Sequence, residues 1–257
     1  MQHASADDRV VRRLRAAGCV FAEDEARLLV AAVTDTHDLD VLVERRVAGT
    51  PLEVLLGWAE FCGLRIAVAP GVFVPRRRTE ALVDEAASLA RPGAVVVDLC
   101  CGTGAVAAAL LVAVPGIDLH ASDVDPASVA CARSNLPGVP VHEGDLFGAL
   151  PGALRGRIDV LTANVPYVPR DAVALMPPEA RDHEPRTALD GGPDGLALAR
   201  RVVAGAAEWL GPGGSLLFEC GVGQVPAALE LVPAAGLSAR LVTDDDRGAT
   251  VVVGTRA

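Results

Sequence analysis

The tetrapeptide Asn164-Val165-Pro166-Tyr167 carries side chains well suited to chemistry. It follows residues 158–163, a mostly apolar run that predicts a buried strand ending in a loop. Open α/β sheets bind ligands at the carboxyl ends of their strands. An amide at that position, stiffened by proline and followed by an aromatic ring, therefore predicts a substrate-positioning site.

A second predicted strand, residues 94–99, runs into the glycine loop Cys100-Cys101-Gly102-Thr103-Gly104. With Ala107, this loop fits the G-x-G-x-x-A pattern that brings a nucleoside ligand to a helix N-terminus. Asp98 lies inside the strand, where a carboxylate would not help to bind a diphosphate but could hold an ammonium group. The pattern thus favours S-adenosylmethionine over NAD, with a tight turn that binds no ligand as the alternative.

Two later acidic segments could complete a nucleoside site. Asp123 ends a predicted strand at residues 118–122, and its two carboxylate oxygens could accept both ribose hydroxyls. Asp125 directly precedes Pro126 and is the better N-cap for the next helix. Asp145-Leu146-Phe147 follows a third strand and could contact adenine, although an ordinary loop acid would look the same. Together these segments predict methyl transfer to a planar amide or amine nitrogen.

The amino-acid composition limits the kinds of cofactor and partner that this protein can bind. The 257 residues include 23 basic ones, none of them lysine, which excludes a P-loop lysine and a Schiff-base lysine. The net charge of −10 argues against sequence-independent binding to a phosphate backbone. We therefore expect a protein or small-molecule partner and no direct contact with nucleic acid. The sequence gives no indication of the oligomeric state.

The six cysteines show no Cys-x-x-Cys spacing and no nearby histidine array, so we expect neither a metal site nor a disulfide framework. Residues 1–8 contain no apolar signal region. The longest apolar run, residues 105–114, is too short to span a membrane. These observations predict a cytoplasmic protein.

Helical periodicity at residues 8–17, 23–33 and 38–47 predicts a small helical domain over residues 1–57. Short extended pieces predict a hairpin linker over residues 58–75. From residue 76 to residue 257, seven predicted strands alternate with helices until a final pair of strands with no helix between them. This order predicts an α/β fold with a doubly wound, mostly parallel, Rossmann-like sheet and an antiparallel hairpin at its end.

The sequence resembles the release-factor glutamine N5-methyltransferases over nearly its whole length. The resemblance rests on Gly49-Thr50-Pro51, Gly57, Gly71 to Arg76, Thr79-Glu80, the glycine loop after Asp98, Gly144 to Phe147, Asn164 to Tyr167, Glu184-Pro185 and Ala188 to Gly192. It implies a class I methyltransferase fold, S-adenosylmethionine as cofactor, and the Gly-Gly-Gln loop of a peptide-chain release factor as substrate. The reaction would belong to translation termination.

The same resemblance implies that Phe73 and Thr79 line the cofactor pocket beside the Asp98 strand and its glycine loop. Asn164 and the backbone after it would hold the substrate amide. Val165 stands where the family usually has a second proline, Arg77-Arg78 where it has Pro-Glu, and Cys100 where it has glycine. A paralogue that methylates a different acceptor therefore stays open, as does an adenine-N6 nucleic-acid methyltransferase, which the acidic charge disfavours.

Overall fold

The computed structural model describes residues 6–257. Its α-helices are α1 (Ala6–Ala16), α2 (Ala22–Ala32), α3 (Thr36–Val47), α4 (Leu52–Leu56), α5 (Glu80–Leu89), α6 (Ala105–Ala113), α7 (Pro126–Asn135), α8 (Pro178–His183), α9 (Ala197–Trp209) and α10 (Val225–Ala234). Its strands are β1 (Trp58–Phe61), β2 (Leu64–Ala67), β3 (Val95–Leu99), β4 (Asp118–Asp123), β5 (Val141–Glu143), β6 (Ile158–Ala163), β7 (Leu210–Glu219), β8 (Ser238–Asp244) and β9 (Ala249–Thr255).

The first helices bury their apolar faces against one another. Val10, Leu14, Leu29 and Val43 belong to one cluster of buried residues that α1, α2 and α3 share. This small core agrees with the helices predicted from three- and four-residue spacing. The predicted boundaries of the three domains stay a prediction, and residues 1–5 of the predicted signal-free segment lie outside the described residues.

A buried ion pair joins these helices to the segment that follows β6. The Arg46 Nε atom donates to Glu25 Oε2 at 2.6 Å, and Nη2 donates to Glu25 Oε1 at 3.0 Å. The Arg46 guanidinium also pairs with Glu179 on α8. Because Arg46 and Glu25 are both buried, each charge needs the other to offset its loss of hydration. Arg46 therefore holds α2, α3 and α8 together.

Within the segment predicted as a linker, the predicted hairpin is present as β1 and β2, which pair antiparallel from Trp58 opposite Ala67 to Phe61 opposite Leu64. Cys62 and Gly63 turn the chain with positive φ values of 49° and 72°. Phe61 packs into the main core with Leu82 of α5. The hairpin is therefore attached to the sheet domain on its apolar side.

The main sheet has seven strands in the order β5-β4-β3-β6-β7-β9-β8. The first five run parallel, and β9 is antiparallel to both β7 and β8. This arrangement confirms the predicted doubly wound, mostly parallel fold with an antiparallel pair at one end. The central strands are apolar on both faces because helices cover both sides of the sheet, as one buried cluster on each face shows.

The parallel register brings several strand ends together at one edge. Leu99 is opposite Ser122 and Ala163, and Ala163 is opposite Phe218. The residues that follow β3, β4, β6 and β7 therefore lie beside one another. These are the positions at which the sequence places its polar side chains.

The structure departs from the sequence-based prediction at two places. Residues 164–196, between β6 and α9, contain α8 and 3-10 turns that the periodicity did not reveal, because such short segments do not repeat an apolar face. Strand β7 begins at Leu210, five residues before Ser215, where the apolar run that predicts this strand starts in the sequence. Gly211-Pro212-Gly213-Gly214 resembles a loop in sequence, and the pairing register with β6 shifts there. Among the described helices, none is long and apolar enough to cross a membrane.

Candidate active site

A cavity of about 230 Å³ opens at the carboxyl edge of the parallel strands. It brings together most of the residues that the sequence predicted to be functional. Those that line it are Phe73, Thr79, Asp98, Cys100, Cys101, Gly102, Thr103, Asp123, Asn164, Val165, Pro166 and Tyr167. One cavity therefore joins the predicted cofactor segment and the predicted substrate segment.

Asp98 is buried beneath the cavity and uses only part of its hydrogen-bonding capacity. Thr162 lies opposite it on β6, and the Thr162 hydroxyl donates to Asp98 Oδ1 at 2.8 Å. The Oδ2 atom has no hydrogen-bond partner within residues 6–257. Burial raises the pKa of Asp98 to about 7, although the Thr162 hydrogen bond lowers it. A cationic group bound in the cavity would satisfy Oδ2 and favour the ionised form.

The loop after β3 turns sharply before α6. Cys100, Gly102 and Gly104 all have positive φ, at 54°, 55° and 78°. Gly104 does not line the cavity; a Cβ atom there would lie 2.8 Å from Leu136 Cδ1 at the end of α7. Glycine is therefore required at residue 104 by backbone conformation and by helix packing.

Asp123 closes the opposite side of this loop. Its Oδ2 atom accepts the Gly102 backbone N–H at 2.8 Å, and its Oδ1 atom accepts the Asp125 backbone N–H at 2.9 Å. Burial raises the pKa of Asp123, whereas these backbone donors lower it. Each carboxylate oxygen can still accept a further hydrogen bond from a ligand. The predicted helix cap is confirmed, because the Asp125 side chain accepts from Ala127 and Ser128 at the start of α7.

The predicted adenine-binding segment, residues 145–147, lies outside the lining of the cavity. Asp145 and Leu146 are not among the residues that line the described cavity. The Asp145 carboxylate accepts from Arg201 Nη2 at 2.6 Å on the exposed surface, and Leu146 is buried in the core. The Phe147 ring stacks on Trp209 with centroids 5.6 Å apart. A contact from Asp145 or Leu146 to a nucleoside stays a prediction.

The Asn-Val-Pro-Tyr segment presents acceptors that no described residue engages, among them Asn164 Oδ1 and the Val165 carbonyl. Asn164 Nδ2 donates to Thr79 Oγ1 at 3.2 Å. No described residue donates to Asn164 Oδ1 or to the Val165 backbone carbonyl, whereas the Tyr167 carbonyl accepts from Gln224 Nε2 at 2.9 Å. The Val165 side chain itself is buried in the core. The segment can therefore receive two N–H groups from a ligand.

A glycine-rich segment supports this loop from behind. The Gly191 N–H donates to the Val168 carbonyl at 2.8 Å, and a Cβ atom on Gly191 would lie 2.6 Å from the Pro166 carbonyl oxygen. Gly195 packs equally closely against the Tyr167 carbonyl. The loop backbone is therefore held by contacts that only glycine permits.

Glu184 links two segments that are far apart in the sequence, Glu184-Pro185 and the segment from Gly71 to Arg76. Its buried carboxylate accepts from Arg76 Nη2 at 2.6 and 2.7 Å and from the Val74 backbone N–H at 3.2 Å. Burial raises the pKa of Glu184, and the Arg76 guanidinium opposes that rise. The Arg76 guanidinium also lies 4.9 Å above the centroid of the Phe73 ring. Glu184 thus fixes the segment that places Phe73 in the cavity wall.

Sequence reasoning missed Glu219, at the carboxyl end of β7. Its side chain is only 2% exposed, and burial raises its pKa to about 7, although the nearby Thr79 hydroxyl, the Arg78 charge and the Tyr167 hydroxyl lower the pKa. Burial also raises the pKa of Tyr167 to about 12. A polar residue at or near the carboxyl end of an otherwise apolar strand was the available signal, since Asp98 and Asn164 show the same pattern.

Comparison with known proteins agrees with this geometry. The family model described as "Methyltransferase small domain" matches residues 63–174. A methyltransferase structure from Pyrococcus furiosus superposes with a TM-score of 0.58 at 18% identity, covering 76% of this chain and 90% of that one. The ribosomal protein L11 methylase from Lactobacillus delbrueckii subsp. bulgaricus superposes with a TM-score of 0.54 at 14% identity, covering 74% and 84%. At these identities, the superpositions support the fold alone.

Sequence relatives are more specific. A release factor glutamine methyltransferase from Geobacter sulfurreducens is 38% identical over 219 residues, or 84% of this chain and 76% of the relative. One from Cereibacter sphaeroides is 36% identical over 280 aligned residues, or 100% of this chain and 99% of the relative. The chain therefore belongs to the release factor glutamine methyltransferase family.

Proposed function

We propose that this protein uses S-adenosylmethionine to methylate the side-chain amide nitrogen of a glutamine in a peptide-chain release factor. The observation that carries the proposal is the pair of unengaged acceptors, Asn164 Oδ1 and the Val165 carbonyl. They lie in the same cavity as the carboxylates of Asp98 and Asp123. A primary amide has two N–H donors, which two acceptors can satisfy.

The cavity fits the proposed cofactor. The unpartnered Asp98 Oδ2 would hold the ammonium group, and Asp123 would accept hydrogen bonds from the ribose hydroxyls. The backbone of Gly102 can approach a ligand closely because it carries no side chain. When bound, S-adenosylmethionine supplies the methyl group, whose bond to sulfur breaks as the bond to the amide nitrogen forms.

The acceptor side of the cavity addresses the poor reactivity of an amide. Its nitrogen lone pair is delocalised into the carbonyl, so the nitrogen must be oriented toward the methyl group before it can react. Two hydrogen bonds, to Asn164 Oδ1 and to the Val165 carbonyl, would fix that orientation. As the nitrogen gains positive charge, the same fixed dipoles stabilise it. By analogy with one oxyanion-hole donor, losing such a contact would cost about 3 kcal/mol.

No histidine is among the described residues that line the cavity, so the side chains there offer no imidazole base. The methylated nitrogen is strongly acidic, and its extra proton can leave after transfer.

The net charge of −10 favours a protein acceptor over a nucleic acid. The helices of residues 6–57 would supply a docking surface for a release factor, and the expected compartment is the cytoplasm.

The proposal is tested by incubating the purified protein with methyl-labelled S-adenosylmethionine and a release factor from the same source. A release factor with its Gly-Gly-Gln glutamine changed to alanine is the matched control. Label on the unmodified factor alone supports the proposal. Cofactor binding without labelling of either factor would overturn the release factor as acceptor and favour a different one.

Two variants test the site itself. Asn164→Ala is expected to lower kcat by about a hundredfold while cofactor affinity is retained, because it removes one of the two acceptors. Asp123→Ala is expected to abolish cofactor binding in a folded protein. An Asn164→Ala enzyme that methylates at the wild-type rate would contradict the proposed role of the amide.

A further inference from the structure

The orientation of the Asn164 amide decides whether the proposed site can work. Its two ends have opposite character, because the oxygen accepts hydrogen bonds and the nitrogen donates them. A substrate N–H can bind only the oxygen. If the amide were rotated by half a turn, Nδ2 would face the substrate nitrogen and repel its N–H groups. Some neighbouring group must therefore determine which end faces the acceptor.

Thr79 is the direct neighbour of this amide. Its Oγ1 atom accepts from Asn164 Nδ2 at 3.2 Å, which leaves Oδ1 available to the ligand. A threonine hydroxyl, however, can both donate and accept. Thr79 alone would therefore allow either orientation of the amide, since its hydroxyl could turn and donate to Oδ1 instead.

Glu219 removes that freedom. Phe218 is opposite Ala163 in the sheet, which places Glu219 beside Asn164 at the carboxyl edge. The Thr79 hydroxyl lies close enough to the Glu219 carboxyl to lower its pKa, and the buried Oε1 atom of Glu219 has no hydrogen-bond partner among residues 6–257. Above its pKa of about 7 the Glu219 carboxylate is ionised and can only accept, so it attracts the Thr79 hydroxyl hydrogen. Because Thr79 has a single hydroxyl hydrogen, its remaining capacity is to accept from Asn164 Nδ2. The hydrogen bonds would then run in one direction, from Asn164 to Thr79 and from Thr79 to Glu219.

Core packing does not explain a carboxylate at residue 219. The side chain is buried, its Oε1 atom has no partner among residues 6–257, and no described ion pair includes it. Burying a carboxyl group without an ion partner costs stability, and this cost indicates that Glu219 serves a purpose other than packing. Glu219 does not line the cavity, so it has no direct access to the substrate proton. Its contacts lead instead to Thr79 and to the hydroxyl of Tyr167.

We propose that Glu219 is a positioning residue which, through Thr79, holds the Asn164 amide with Oδ1 toward the acceptor nitrogen. Its contact with Tyr167 holds the other end of the Asn-Val-Pro-Tyr segment, so that one carboxylate orients both ends. This role rests on the proposed function, because it requires a substrate with an N–H group at Asn164. Glu219 would contribute to the chemical step without touching substrate or cofactor.

Glu219→Gln is the informative substitution. It keeps the size of the side chain but adds an NH₂ group that can donate to Thr79, which releases the hydroxyl to donate to Asn164 Oδ1. We expect kcat to fall by about tenfold to a hundredfold, with little change in KM for the release factor or in cofactor affinity. Glu230→Gln, on the exposed face of α10, is the matched control and should leave kcat unchanged.

A double-mutant cycle tests whether Glu219 acts through Thr79. In a Thr79→Val background this series of hydrogen bonds is already broken, so Glu219→Gln should reduce kcat by less than about twofold further. If the two effects on kcat multiply instead, Glu219 does not act through Thr79, and the proposed relay from Glu219 through Thr79 to Asn164 is wrong. It is also wrong if Glu219→Gln alone retains wild-type kcat, or if it weakens cofactor binding while kcat is unchanged.

Failure of this inference is distinguishable from failure of the proposed function. If the wild-type protein does not methylate the release factor glutamine, the proposed function fails whatever Glu219 does. If the wild type is active, Asn164→Ala is inactive and Glu219→Gln is fully active, only the relay fails. Cofactor affinity measured by calorimetry for each variant shows that the protein has folded.

Discussion

Acidification should weaken cofactor binding through Asp98. The folded protein holds this carboxyl group in a buried position that raises its pKa to about 7. Only the ionised form can pair with the ammonium group of S-adenosylmethionine, and the protonated form offers no compensating charge. The affinity of the protein for its cofactor should therefore fall as the pH falls through the pKa of Asp98.

The size of the effect follows from the titration of one group. If only ionised Asp98 binds, the apparent Kd is multiplied by one plus the ratio of protonated to ionised Asp98. With a pKa of about 7, lowering the pH from about 7.5 to about 6 weakens binding by about eightfold, or about 1.2 kcal/mol. Staying below about pH 7.5 keeps the α-amino group of the cofactor largely protonated.

Calorimetric titration at the two pH values measures this ratio directly. The matched control is 5′-methylthioadenosine, which keeps the adenine and ribose but has no ammonium group. Because burial also raises the pKa of Asp123, this control reports any pH dependence that arises at the ribose site. Equal pH dependence for the two ligands, or an unchanged pH dependence in Asp98→Asn, would refute the assignment of the ammonium to Asp98.

Three further predictions concern stability and loop geometry. Without cofactor, Asp98→Asn should raise the unfolding temperature at pH 8 by several degrees but not at pH 4: a carboxyl whose pKa is raised by folding loses stability as pH rises through that pKa, and thermal unfolding at both pH values measures this. Gly191→Ala should lower kcat at least tenfold with cofactor affinity retained, because its Cβ would displace the Asn-Val-Pro-Tyr loop, whereas Gly148→Ala, which meets no atom within 4 Å, should be neutral in the same assay. Arg46→Met should lower the free energy of unfolding by about 3 kcal/mol because it leaves Glu25 buried without a partner, and adding Glu25→Leu should restore most of it; a double variant as unstable as the single one would contradict this reasoning.

Local pattern was sufficient to predict the elements that position the site. Apolar runs identified β3 and β6, and in each the polar residue at or near the carboxyl end lies at the cavity. Because the carboxyl ends of parallel strands lie at one edge of the sheet, Asp98 and Asn164 could be expected to lie close together. The N-cap at Asp125 followed from the proline after it, because the signal for a cap is contained in two adjacent residues.

Other features depend on contacts between distant parts of the chain, which the sequence does not reveal. Glu219 is 140 residues from Thr79 by their numbering, and nothing near either residue in the sequence indicates that their side chains lie close together. Glu184 likewise binds Arg76 across 108 positions. The segment of residues 164–196 has no regular apolar period, because its short turns are held by glycine contacts and side-chain hydrogen bonds.

The position of β9 has a consequence for how the protein is made. This strand lies between β7 and β8 although it follows both in the chain, and its Val251 is the residue opposite Glu219. The sheet edge that carries the site therefore cannot be completed until the ribosome has synthesised residues 249–255 and they have left its exit tunnel. We expect ribosome-bound chains that stop before residue 249 to gain no protease protection from S-adenosylmethionine, whereas the released protein does. The cofactor site would then form late in synthesis, once β9 has inserted between β7 and β8.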